Sequence, residues 1–136
     1  MTDITPKTRL EAQRGKVIRT CAWDTIAEFY RDLISKGWPF LPMLRVVEAI
    51  AISSAAAQIH GATSHSDLLL SDCADFRSGD STLSIVYQPT DRTFHFRHRC
   101  FSSHDDKKTC TEDEAFATLR LFLRLKYGVL FETPAA

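Results

Sequence analysis

Hydrophobic residues recur at helical spacing in three stretches of the chain and alternate with polar ones in two others. These periods predict most of its elements. Between Ala22 and Lys36, Trp23, Ile26, Ala27, Tyr30, Leu33 and Ile34 fall on one side, with Asp24, Glu28, Arg31, Asp32 and Lys36 on the other. That is an amphipathic helix with one buried face, and Gly37 is placed to end it. The following GWPFLP forms a rigid aromatic elbow in which Trp38 and Phe40 are expected to pack between helices. Trp38 is also the elbow's candidate anchor for a partner.

The most apolar continuous segment runs from Pro42 to Gly61, PMLRVVEAIAISSAAAQIHG. Proline suits a first helical position and glycine the position just past a last one, so the punctuation predicts a buried central helix over residues 42–60. The small run SSAAA within it would let another element approach closely. The polar ATSHS that follows reads as a loop, and DLLLSD as a short strand covered on both sides or central in its sheet.

After the loop CADFRSGDS, Leu83, Ile85 and Tyr87 alternate with Ser84, Val86 and Gln88. Then Phe94, Phe96, His98 and Cys100 alternate with His95, Arg97 and Arg99. Joined by PTDR, the two runs predict a hairpin with one apolar and one mostly polar face. SSHDDKKT reads as a charged loop. Thr111 and Glu114 then form a capping box, opening a helix to about Tyr127 that Gly128 closes. VLF after it is an edge strand or a packed tail, and residues 132–136 a frayed end.

These elements predict a single α+β domain over residues 21–131 in the order α-α-β-β-β-α, a three-stranded antiparallel meander packed against helices. Residues 1–20 read as a mobile basic lead-in.

Composition narrows the function classes. The chain has 136 residues, and its 17 basic and 17 acidic side chains cancel, so no global field draws it to nucleic acid or an anionic membrane. The polar N-terminus lacks the apolar core of a signal peptide, which makes a cytoplasmic location with reduced cysteines the expectation.

Candidate chemistry is sparse. His98, Cys100, His104 and Cys110 are the set that could share a zinc ion, since alternation turns His95 to the other face. The close cysteine or histidine pairs of structural zinc sites are missing, so no metal and no cofactor is expected. Ser64, His65, Ser66 and Asp67 put triad residue types side by side, but triads assemble in space rather than along a loop. No phosphate-binding glycine loop or metalloprotease motif occurs.

Arg92, His95, Arg97, Arg99 and Phe101, with Lys107 and Lys108 nearby, make a basic hairpin face that could touch phosphates, though the aromatic residues Phe94 and Phe96 belong to the core face. The expected function is therefore protein–protein interaction without catalysis, in an inhibitor, immunity-type, adaptor or chaperone role. The candidate binding surface is Arg92, His95, Arg97 and Arg99, the loop acids Asp72, Asp75 and Asp80, and Trp38. Nucleic-acid binding by the hairpin face is the alternative, and an enzyme whose site the sequence does not display is the third.

Overall fold

A computed structural model describes residues 16–77, 80–100 and 103–132, with the backbone alone for residues 103 and 104. Among them, the apolar stripes form α1 (Trp23–Ser35), α2 (Leu41–Ala51) and α3 (Ala115–Tyr127). Five strands, β1 (His60–Ser64), β2 (Asp67–Ser71), β3 (Thr82–Gln88), β4 (Thr93–Cys100) and β5 (Ser103–Thr111), pair antiparallel in the order β1-β2-β3-β4-β5. The α+β class is as expected. The meander, however, has five strands where three were predicted, because two stretches read as loops are strands.

The first is the ATSHS region. His60–Ser64 pairs in register with Asp67–Ser71 across a turn in which His65 takes a positive φ of 56°. The second is the charged stretch. Ser103–Thr111 pairs along β4, with Thr111 opposite Thr93 and Asp106 opposite His98. It lies at the edge of the sheet, where charged side chains are common because they discourage further strand pairing. On its inward row Cys110 is buried, but Lys108 and Asp106 follow it, Asp106 held by Lys126 of α3, so no apolar alternation announces the strand.

The central helix is shorter than predicted. It stops at Ala51, and residues 42–60 are not one helix. Ser53 caps a separate 3-10 turn, Ser54–Ala57, by accepting from the Ala55 N–H at 3.1 Å, while its hydroxyl donates to the Ile50 carbonyl. Serine hydroxyls compete with helical hydrogen bonds in this way. The Ser54 N–H is also drawn off, to the Glu132 carbonyl at 3.2 Å. Gly61 is thereby freed from capping and lies in β1, paired with Leu70.

Other boundaries follow their signals. Gly37 (φ 94°) ends α1 with N–H bonds from Gly37 to Ile34 and from Trp38 to Leu33, the paired closure of a left-handed cap. Thr111 and Glu114 form the predicted capping box, and Gly128 (φ 65°) closes α3.

All three helices contribute to the core that covers one face of the sheet. Leu68, Leu70, Leu83, Ile85, Phe94 and Phe96 point into it and meet Tyr30, Met43, Val47, Ile50, Leu119 and Leu123, all buried. Aromatic rings bridge the layers, from Phe40 against Tyr87 to Phe96 stacked on Phe122 at 5.8 Å between centroids. The Tyr30 hydroxyl, deep in this core, donates to the Ser66 carbonyl, and burial raises its pKa. Residues 129–131 pack as a tail, with Val129 and Phe131 buried. Within the predicted lead-in, Ile18 donates to the Phe76 carbonyl and Thr20 to Asp75, and Cys21 bridges to Gly61 just beyond it. Residues 1–15 and 133–136 lie outside the described residues.

Candidate functional site

The hairpin alternates as predicted: Phe94, Phe96 and His98 are buried, while His95, Arg97 and Arg99 face outward. The outward charges are largely engaged within the chain. Arg97 binds Asp105 of the neighbouring strand through Nε at 3.0 Å and through a second guanidinium nitrogen, which holds the Asp105 carboxyl below its usual range. Arg92, in the β3–β4 turn at φ 58°, pairs with Glu112 at 3.1 Å. Glu112 also accepts from the Tyr87 hydroxyl at 2.9 Å, so the cleft of about 450 Å³ beside Arg45 and Arg92 holds its own counter-charge. His95 sits between Thr93 and Thr109. Arg99 remains exposed.

The loop acids have internal tasks as well. Asp75 accepts from the Thr20 N–H at 2.9 Å and anchors the entering chain, and Asp80 accepts from the Arg77 N–H. Asp72 is exposed beside the Cys73 thiol, whose pKa is raised first by burial and then by that carboxylate. Trp38 is 57% exposed, whereas its elbow partner Phe40 is buried. These residues do not form one patch. Arg92 and Arg99 stand at opposite ends of β4, ~23 Å apart at the usual rise per strand residue.

The register also separates the zinc set. Cys110 lies opposite Phe94, whereas Cys100 lies opposite Ser103, the far end of the same strand pair. Among the described residues no group of three or more His, Cys, Asp or Glu side chains could hold a metal ion, and the His104 side chain is outside them.

His98 instead joins a polar plug that the sequence did not display. Its Nε2 is 2.7 Å from the Ser81 hydroxyl, and its ring meets Tyr127 edge-on. The Tyr127 hydroxyl donates to the Ser81 carbonyl at 3.0 Å, and Asp106, paired with Lys126, lies across the ladder. Burial, and then the charge of Lys126, lowers the His98 pKa, so the imidazole is neutral at neutral pH. The group closes the core where β3, β4 and the end of α3 meet.

The least accounted-for surface is the outer side of α3 and the tail beside it. Leu121 is 55% exposed, Leu125 68% and Leu130 58%, with Phe116 half-exposed at the start of the helix. Leu121 and Leu125, four apart, stand one above the other on a helix. A groove of about 340 Å³ lies on one side of this ridge, between α3 and residues 130–132, lined by Ala117, Arg120, Arg124 and Phe131. A second, of about 270 Å³, lies on the other side, between Lys126 of α3 and Asp106 of the β5 edge.

Arg120 is fixed over the first groove by an Nε–H bond to the Phe131 carbonyl at 3.2 Å, with its guanidinium 6.0 Å from the Phe131 ring centre. Among the described residues Arg124 meets no carboxylate. The signal was present in the sequence: the helix AFATLRLFLRLKY carries leucine at every second position from 119 to 125, and only Leu119 and Leu123 can share the buried stripe.

Comparison of the chain with protein-family models, with curated proteins and with solved structures found no match. Among the described residues no helix is long and apolar enough to cross a membrane.

Proposed function

We propose that this chain is a small non-catalytic protein that acts by binding another protein, in an inhibitor, immunity-type, adaptor or chaperone role, and that the outer face of α3 is the contact surface. The observation that carries the reading is the ridge of Leu121 and Leu125 between two apolar-floored grooves, with Leu130 across the first of them. Single exposed leucines need no explanation, but a contiguous set rimmed by polar groups is characteristic of interaction sites. Arginines beside such a ridge match the chemistry of interface hot spots.

This moves the contact surface away from the hairpin face. There, Arg92 and Arg97 already hold carboxylates, which leaves little charge for phosphate and favours protein binding over the nucleic-acid alternative.

The test is site-specific photo-crosslinking in the source cells. A photoreactive residue at Leu125 is expected to give a discrete protein adduct, and one at Ser84 on the open face of the sheet none. Adducts at Ser84 and none at Leu125 would overturn the assignment.

A further inference from the structure

The two grooves flanking the leucine ridge also specify what should fill them, an inference that rests on the protein-binding reading above. We propose that the α3 face receives an amphipathic helical segment whose leucine-type anchors enter the grooves and whose flanking carboxylates meet Arg120 and Arg124.

The helical shape follows from the ridge. Side chains four apart on α3 form a row with a groove on each side, and such a row is complementary to the matching rows of a second helix. The acidic character follows from charge. Among the described residues Arg120 bonds a neutral carbonyl and lies over the Phe131 ring, and neither it nor Arg124 meets a carboxylate. Of the two acids that line the grooves, Asp106 is bound by Lys126, and Glu132 lines the first groove without an ion pair to either arginine among the described residues. A partner bringing carboxylates would thus complete two cations that meet no carboxylate among the described residues.

A second copy of this chain fits less well. A two-fold pairing of α3 on itself would set Arg120, Arg124 and Lys126 against a helix, Ala115–Tyr127, that contains no acid. An anionic membrane is also disfavoured, because two arginines in a groove that also holds Glu132 give too small a basic patch for stable adsorption.

The experiment titrates the full chain against a synthetic helix with leucines at i, i+4 and i+7 flanked by glutamates. Its controls are the same helix with lysine in place of glutamate, and anionic lipid vesicles. The glutamate peptide is expected to bind at least about tenfold more tightly than the lysine peptide. Arg124→Glu, at an exposed position, should abolish that preference, and the Leu121→Ser/Leu125→Ser double variant should lose both peptides while keeping the wild-type melting transition.

Equal affinity for the two peptides, binding of neither, vesicle binding without peptide preference, or self-association abolished by the leucine variant would each overturn the proposal. A crosslink at Leu125 together with equal peptide affinities would leave the protein-binding reading standing and remove only the acidic-helix partner. Absence of the crosslink removes the reading itself.

Discussion

The indole of Trp23 lies directly over Gly61: a Cβ on that glycine would stand 2.9 Å from Trp23 Cη2 and 3.0 Å from Ile26 Cδ1. The indole is not free to withdraw, since its Nε1–H donates to the Ala56 carbonyl at 3.2 Å. Close approach of α1 to β1 therefore requires a residue with no side chain at position 61. Gly61→Ala should lower stability by ~1–3 kcal/mol through overpacking, less a few tenths regained from the unfolded chain. Urea unfolding of Gly61→Ala, Trp23→Leu and the double variant checks this. Much of the loss should disappear when the indole is already gone.

The same helix that exposes Leu121 and Leu125 buries Leu119 and Leu123 completely, and this division should be visible in stability. Leu119→Ala is expected to cost ~2–5 kcal/mol by leaving a cavity. Leu125→Ser should stay within about 0.5 kcal/mol of wild type, as surface substitutions do. A large loss at Leu125 would mean that the ridge serves folding rather than recognition.

Acidification should weaken the fold through His98. Its pKa is lowered in the folded state, by burial first and by Lys126 second, with Asp106 and Asp105 opposing. The unfolded chain therefore takes up the proton at a higher pH. Stability from the neutral imidazole is present above the ordinary histidine value and lost as pH falls from there through the folded value. Urea midpoints at pH 7.5 and pH 5 should fall more for wild type than for His98→Gln, which cannot titrate. Asp67, whose pKa burial raises, acts in the opposite sense and is common to both proteins.

The hairpin face should not retain nucleic acid. With Arg97 held by Asp105, a random single-stranded oligonucleotide is expected to show no binding even at low salt. Asp105→Asn releases the guanidinium and is the variant in which a weak, salt-sensitive affinity would emerge. Wild-type binding with a steep salt slope would return the nucleic-acid reading to first place.

Periodicity and punctuation made the framework legible: α1, the β3–β4 hairpin, the Thr111–Glu114 box and the Gly37 and Gly128 closures stand where their residues imply. The misread segments failed for physical reasons. In Pro42–Gly61 the composition stays apolar across the break, and the competitors that end the helix, the Ser53 hydroxyl and the Glu132 carbonyl, are a local side chain and a residue far along the chain. β5 hides its strand character because its inward Asp106 is neutralised by Lys126 rather than replaced by an apolar residue. The arginines of the hairpin were visible, but their partners Asp105 and Glu112 lie on segments whose register only the fold supplies. The α3 ridge could have been found by counting leucines against the width of one buried stripe.

The most direct test of the docking surface is a map of the contacted residues. The ¹⁵N-labelled chain titrated with the glutamate-flanked helix should show amide shift changes confined to residues 116–126, residues 130–132 and the neighbourhood of Asp106, with His95, Arg97 and Arg99 unmoved. Changes centred on those three strand residues, or none anywhere, would contradict the assignment of recognition to the outer face of α3.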